Sequence, residues 1–194
     1  MYKYYIIYKP YGVLSQFSDE GGHAGLGTIL NIEKDVYPLG RLDHDSEGLL
    51  LLSNDKRLNK LMLDPAEKHF RTYWVQVDND VNEEAIKNLE RGVPISLNGI
   101  IYNTRPAKAK IIEAPPLPER KVPVRVRKSI PTSWIELSIA EGKNRQVRKM
   151  TAAVGHPTLR LVRAAIEDLT LGSLQPGDLL ELKQEFVYKR LKIK

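Results

Sequence analysis

GRLDHDSEGLLLL, residues 40–52, places a dense group of charged side chains directly before four consecutive leucines. An apolar run of this length, closed by the turn signals at 53–55, predicts a buried strand rather than a helix. Ionisable groups beside buried strands are costly unless they are paired, so the acids of this stretch are candidates for a functional site. An ordinary turn, in which Asp45 or Ser46 bonds its own backbone, explains the same spacing, and spacing alone favours that alternative.

Working outward from this stretch, the sequence predicts more strands than helices, and many of the strands are adjacent in the chain. The predicted elements are a strand at 4–9, a loop at 15–25, a short helix at 26–31, a short strand at 36–39, a helix at 56–63 capped by Asp55, a strand at 70–77, a helix at 82–91, several strands between 100 and 139, a helix at 143–154, strands at 158–166 and 179–183, and a basic tail. This order predicts an α+β fold with a mostly antiparallel central sheet flanked by helices.

Composition excludes several kinds of chemistry. The 194 residues include no cysteine, so thiolate nucleophiles, thiolate metal ligands and disulfides are ruled out. No apolar run approaches the ~20 residues that cross a bilayer, and the N-terminus lacks the features of a signal peptide, so we expect a cytoplasmic protein without membrane contact. The net charge of +6 weakly favours a polyanionic partner.

A second polar stretch, EGKNRQVRKM at 141–150, lies where a helix is predicted. At about 100° per residue, Val147 and Met150 share one face, and Arg148 falls at the edge between core and solvent. An arginine there can pair with a carboxylate in a fork geometry that lysine cannot copy. A plain solvated basic face is the simpler alternative.

Basic residues recur on predicted strands. In the segment 122–128 (VPVRVRK) the arginines alternate with valines, so a strand would point them outward. The candidate phosphate-binding residues on strands and on the helix are Lys108, Lys110, Arg125, Arg127, Arg145 and Lys149. Charge that merely keeps the surface soluble is an equally good explanation.

Tyr73 is the aromatic candidate. Along a strand it shares a face with Arg71 and Val75, and a ring beside a cation can stack on a nucleobase. A core position is the commoner fate of such a tyrosine. The four histidines show no paired metal spacing, and no phosphate-binding loop or complete dinucleotide fingerprint occurs, so the sequence gives no support to metal or dinucleotide chemistry.

Taken together, these segments resemble the RsuA-type ribosomal pseudouridine synthases. The resemblance rests on four motifs in order: 9–12 (KPYG), 40–55 with Asp43, 71–73 (RTY, where the family usually has Lys-x-Tyr) and 141–150. They extend over nearly the whole chain, which makes the match specific. Many family members carry an S4 domain before the catalytic domain. This chain begins at the first catalytic strand, so we expect one catalytic domain at 1–194 without S4, with room for two closely packed subdomains.

The resemblance implies a pseudouridine synthase fold with an RNA-binding cleft, acting without cofactor or metal on ribosomal RNA, with the 23S RNA of the large subunit as the expected target. It implies that Asp43 acts on a flipped uridine, that Tyr73 stacks on the uracil, and that Arg148 holds Asp43 charged and oriented. The expected RNA-binding residues are Arg41, Arg71, Arg125, Arg127, Lys143, Arg145 and Lys149. We expect a monomer.

Three other functions remain open from the sequence. A non-catalytic RNA-binding or ribosome-assembly protein would keep the fold without isomerising. A nucleoside hydrolase or glycosidase also cleaves a glycosidic bond, but it usually needs two carboxylates or a metal and releases the base. A pseudouridine synthase of another class would act on tRNA.

Overall fold

The computed structural model describes residues 1–64, 67–124 and 129–193. These residues form eleven strands, β1 to β11 in chain order, at Tyr4–Lys9, Tyr37–Pro38, Glu47–Ser53, Arg71–Asp78, Pro94–Leu97, Ile100–Asn103, Lys108–Ile112, Thr132–Ile139, Thr158–Ile166, Leu169–Thr170 and Leu179–Glu181. The same residues form four α-helices, α1 to α4, at Lys56–Leu63, Glu83–Arg91, Gln146–Ala153 and Gln184–Arg190. A single 3₁₀ turn at Leu26–Thr28 replaces the short helix predicted at 26–31.

The chain divides into two compact units. The first contains Met1–His69 and Val162–Lys194, and the second contains Phe70–Leu161. The division falls within β9, which therefore begins in the second unit and ends in the first.

The sheet of the first unit has the order β11-β1-β3-β9. Strand β1 runs antiparallel to both β11 and β3, whereas β3 and β9 run parallel. Every residue of β3 is buried, as the four leucines predict. Leu50 and Leu52 pack in a core cluster with Tyr5 and Ile7 of β1, and residues of the loops before β3 complete that cluster. The catalytic candidate Asp43 thus lies four positions before Glu47, the first residue of this fully buried strand.

Helix α4 corrects the sequence analysis, which predicted a basic tail from 184 onward. Val187 is fully buried, and the Tyr188 hydroxyl donates a hydrogen bond of 2.7 Å to Asp55. The Tyr4 hydroxyl donates a second one of 2.7 Å to the same carboxylate oxygen, and burial together with these bonds raises the pKa of both tyrosines. Asp55 also caps α1 by accepting from two backbone amides of its first turn, as predicted.

The second unit is built on the antiparallel strands β4, β8 and β7, with β8 in the middle. Strands β5 and β6 form a separate hairpin. Its two turn residues, Asn98 and Gly99, both have positive φ (52° and 84°), as a two-residue turn that matches the strand twist requires. The α+β class with mostly antiparallel pairing is confirmed, and the parallel β3–β9 pair makes the pairing mixed.

In the described part of the chain, no helix combines the length and the apolar character that a membrane-spanning segment needs.

Candidate active site

Asp43 lies in a short connection between β2 and β3 whose backbone is held on both sides. On one side, the buried Ser15 hydroxyl donates to the Leu42 carbonyl (2.8 Å) and accepts from the Leu42 amide (2.9 Å). On the other side, the Gly12 amide donates to the His44 carbonyl at 2.7 Å. Asp43 itself closes a turn, because its carbonyl accepts from the Ser46 amide at 3.0 Å. The half-buried acid is therefore fixed by a loop that lies about thirty residues earlier in the chain.

Lys9 is a buried cation at the end of β1, and the sequence analysis gave it no role. Its side chain is fully buried, and Nζ donates to the carbonyls of Pro10 (2.9 Å) and Val13 (2.6 Å). Burial lowers the pKa of Lys9 to about 7, although the charges of Glu47, Asp45 and Asp43 act in the opposite direction. Because a neutral amine still has two N–H groups, both hydrogen bonds survive deprotonation. A lysine at the end of an otherwise apolar predicted strand is the sequence feature from which this buried cation could have been found.

Arg163 is a second buried cation of the first unit that the sequence analysis missed. Its side chain is 3% exposed, and Nε donates to the Leu49 carbonyl at 2.7 Å. It also lowers the pKa of Lys9. β9 approaches β3 so closely here that a Cβ on Gly48 would overlap the Arg163 carbonyl and lie 2.7 Å from its amide. Gly48, with φ of 105°, therefore permits the parallel pairing directly after the acidic stretch.

In the second unit, Tyr73 lies on the buried face of β4. It is 8% exposed and stands opposite Leu137 of β8, and Val75 and Val77 continue the same buried face. Arg71 is on this face at the start of the strand and is half-buried. The predicted alternation along this strand is confirmed.

Helix α3 begins at Gln146, three residues later than predicted, because Arg145 has a left-handed backbone with φ of 51°. The preceding loop is organised by Glu141. Its carboxylate accepts from the Gln146 amide nitrogen Nε2 (2.6 Å) and from the Tyr102 hydroxyl (2.6 Å), which raises the Tyr102 pKa. The ammonium of Lys143 lies 5.1 Å from the centre of the Tyr102 ring. The sequence analysis assigned no role to Glu141 or Tyr102.

Arg148 and Lys149 are both half-buried on α3, between the buried Val147 and Met150. For Arg148 this is the edge position that helical spacing predicts. It stays a prediction that the guanidinium of Arg148 and the ring of Tyr73 reach Asp43.

The other predicted RNA-binding residues have different outcomes. Arg41 is exposed. Lys108 lies 4.9 Å from the centre of the Phe70 ring, and Lys110 forms an ion pair of 3.0 Å with Glu136. Arg125 and Arg127 lie outside the described residues. A role in RNA binding stays a prediction for all of them.

Among the described residues, no group of three or more histidine, aspartate or glutamate side chains is arranged to hold a metal ion.

Comparison with known proteins defines the class. The family model described as RNA pseudouridylate synthase matches residues 3–153, which span both units. A solved structure described as a pseudouridylate synthase superposes on 98% of this chain and 74% of its own, with a TM-score of 0.80 and 26% identity. The chain therefore belongs to the RNA pseudouridylate synthase family and is an enzyme, an isomerase that converts uridine in RNA to pseudouridine.

At a finer level, curated relatives point to one branch of this family. The chain is 49% identical to the ribosomal large subunit pseudouridine synthase E of Vibrio parahaemolyticus, over 93% of this chain and 74% of the relative. It is also 49% identical to the protein of that name from Xanthomonas campestris, over 89% of this chain and 91% of the relative. The segments 43–48 and 127–132 already resemble pseudouridine synthase E in sequence, and these relatives confirm the resemblance for the chain as a whole.

Proposed function

We propose that this enzyme isomerises a specific uridine of 23S ribosomal RNA, with Asp43 as the catalytic carboxylate. The relatives named for the large ribosomal subunit support the substrate. The observation that carries the role of Asp43 is the anchoring of its neighbours Leu42 and His44, whose backbone groups form three hydrogen bonds with the Ser15 hydroxyl and the Gly12 amide. A rigid backbone on both sides is what a reacting group needs, because misplacement by about 1 Å can cost roughly 100-fold in rate.

The reaction rearranges bonds without oxidation or reduction. The bond between N1 of uracil and C1′ of the ribose breaks, the base turns, and C5 bonds to C1′. C5 then loses its proton and N1 gains one. Cleavage builds positive charge on the ribose and negative charge on the base. An ionised Asp43 near C1′ stabilises or captures the ribose, or removes a 2′ proton.

The uridine must leave the RNA stack to reach such a carboxylate, which costs a few kcal/mol. Tyr73 is proposed to stack on the flipped uracil and keep it bound while it turns. Arg148 is proposed to keep Asp43 charged and oriented through a two-point contact that only a guanidinium makes. Phosphate contacts from basic residues such as Lys149 would offset the cost of flipping, because each neutralised phosphate releases counterions. Arg71 is proposed to contact the RNA as well, and Arg41 to fill the place that the flipped uridine leaves in the stack. Arg145 and Lys143 are also proposed to bind the RNA.

The test compares Asp43→Asn with Asp80→Asn, which makes the same chemical change at an exposed aspartate of the second unit. The substrate is a 23S transcript carrying tritium at C5 of uridine, because the C5 proton is released only when C5 bonds to C1′. Asp43→Asn should release no tritium and still bind the transcript, whereas Asp80→Asn should behave as wild type. Substantial turnover by Asp43→Asn would refute the assignment.

Product analysis separates the proposed reaction from its rival. Digestion of the treated RNA should give pseudouridine and no free uracil, whereas a hydrolase would release uracil. Carbodiimide mapping of total RNA from cells with and without the gene should locate the missing pseudouridine in 23S RNA. A missing site in tRNA alone would overturn the substrate.

We further infer a cytoplasmic monomer. The cysteine-free chain suits a reducing compartment, and ribosomal RNA would be met there. Light scattering after size exclusion should give a mass near the chain's 22.1 kDa. A mass twice as large would refute the monomer.

A further inference from the structure

Two histidine rings are stacked beside the proposed catalytic acid. The ring centroids of His23 and His44 are 4.4 Å apart, and their planes differ by 28°. His44 directly follows Asp43, whereas His23 comes from the loop between β1 and β2. The family motifs and the proposed mechanism give neither imidazole a role.

His23 is held in place by a well-defined turn. Gly21 and Gly22 have positive φ (57° and 78°), and Glu20 and His23 on either side exchange two backbone hydrogen bonds of 3.1 and 2.9 Å. The backbone amide of Leu14 donates a hydrogen bond of 2.9 Å to the carbonyl of Ala24, the residue after His23. A ring that is already ordered loses little conformational entropy when it binds a partner.

Space beside this ring is open. His23 is exposed, and its neighbours in sequence, Gly22 and Ala24, are small and exposed as well. A Cβ added to Gly21 or Gly22 would meet no atom within 4 Å. One face of the His23 ring packs on His44, so a flat group has room to approach the remainder of the ring.

The charges around the two rings indicate what kind of group this is. Asp19 and Glu20 lie on the same loop as His23, and Asp43 and Asp45 flank His44 in sequence. In the segments 19–23 and 41–45 these four acids outnumber the single cation, Arg41, and so disfavour a phosphate. They do not disfavour the uncharged face of a nucleobase, and single-stranded RNA is commonly recognised by bases stacked on aromatic side chains, histidine included.

We propose that the stacked pair His23–His44 is a platform on which a nucleobase flanking the target uridine stacks. The inference rests on the proposed role of Asp43, because His44 is its neighbour in the chain. The platform holds a neighbouring base while the uridine is flipped, so it contributes to the choice of target. Each stacked base is expected to change affinity by roughly 5- to 100-fold.

The experiment measures binding of a 23S RNA fragment that contains the mapped uridine, by full-length protein carrying Asp43→Asn so that no turnover occurs. In this background, His23→Ala should raise Kd roughly 5- to 100-fold, whereas His23→Phe, which keeps a flat ring, should stay within about 3-fold of the parent. Tyr2→Ala removes an exposed aromatic side chain elsewhere in the first unit and should leave Kd unchanged. Circular dichroism and thermal melting confirm that each variant is folded.

A second arm tests for a particular base. Fragments are made with one abasic nucleotide at each of the three positions on either side of the uridine. On one of them the His23→Ala penalty should disappear, because the base that stacks on the ring is gone. A merely structural role of His23 would give the same penalty on every fragment, and that result would overturn the proposal.

Two other outcomes would also overturn it: a Kd for His23→Ala equal to that of the parent, or full affinity in His23→Lys together with loss in His23→Phe, which would mean a phosphate contact. Binding is measured without turnover, so failure of this inference is distinguishable from failure of the Asp43 assignment. The latter shows only in the tritium assay.

Discussion

Lys9→Met is the substitution whose effect the structure predicts in most detail. The wild-type lysine is fully buried, and burial lowers its pKa from 10.5 to about 7. A lowering of about 3.5 pH units at about 1.4 kcal/mol per unit means that protonated Lys9 costs the folded state about 5 kcal/mol relative to the neutral amine. Methionine has nearly the same length and carries no proton, so the variant lacks this cost at every pH.

The sign of the pH dependence follows from proton binding. Between pH 7 and pH 10.5 the unfolded chain holds a proton on Lys9 that the folded chain has released, so the free energy of unfolding rises with pH. This contribution is complete above 10.5 and is lost as the pH falls to about 7. From pH 7 to pH 9 it should amount to about 2 kcal/mol.

The assay is urea unfolding of wild type and Lys9→Met at pH 7, 8 and 9. Groups that titrate alike in both proteins cancel in the difference, and the loss of the two hydrogen bonds to Pro10 and Val13 adds an offset that is independent of pH. The difference, wild type minus variant, should therefore increase by about 2 kcal/mol over this range. A constant difference would refute the argument, because it would mean that Lys9 stays protonated when buried. Direct titration of the Lys9 Cε resonance by NMR gives the same answer should the variant fail to fold.

Substitutions at three other residues test their proposed roles. Tyr73→Phe should keep turnover near the wild-type level and Tyr73→Leu should lose roughly 5- to 100-fold, because only phenylalanine stacks; equal rates in the tritium assay would contradict this. Arg148→Lys should lower kcat by roughly 10-fold although the charge is kept, since lysine cannot make a forked contact, and a wild-type kcat would contradict it. Ser15→Ala should lower kcat with little change in KM and should cost about 1–3 kcal/mol of stability by urea unfolding. The exposed control Ser18→Ala should change neither kcat nor stability. A kcat unchanged by Ser15→Ala would contradict the proposed role of Ser15.

The sequence predicted those elements whose causes are local. Four successive leucines predicted the buried strand β3, and Asp55 predicted the start of α1, because a strand core and a helix cap depend on residues close in the chain. Helix α4 was missed because its anchor is remote. Tyr188 donates a hydrogen bond to Asp55, which lies 133 positions earlier in the chain, so no short stretch of sequence contains both residues.

The residues of the candidate site also fall into those that stand out in the sequence and those that do not. Asp43 stands out in the sequence, because the acids around it are concentrated in one short stretch. Glu141 does not, although it organises the loop before α3, because its partner Tyr102 is 39 positions away. The late start of α3 was also hidden, since nothing about an arginine at 145 indicates a left-handed backbone, which non-glycine residues seldom adopt.

The loop between β1 and β2 shows why recognising the acid is not enough to explain the site. Gly12, Ser15 and His23 contact Leu42 or His44 by three different means: a backbone hydrogen bond, a side chain that bonds both backbone groups of one residue, and a ring stack. None of these three contacts involves Asp43 itself, yet the hydrogen bonds of Ser15 and Gly12 hold the backbone on both sides of it. Since rate depends steeply on the position of a reacting group, the contacts of Gly12 and Ser15 would affect catalysis through geometry alone. The acids of 40–48 stand out in the sequence, whereas the hydrogen bonds from Gly12 and Ser15 that hold the two neighbours of Asp43 become visible only in the structure.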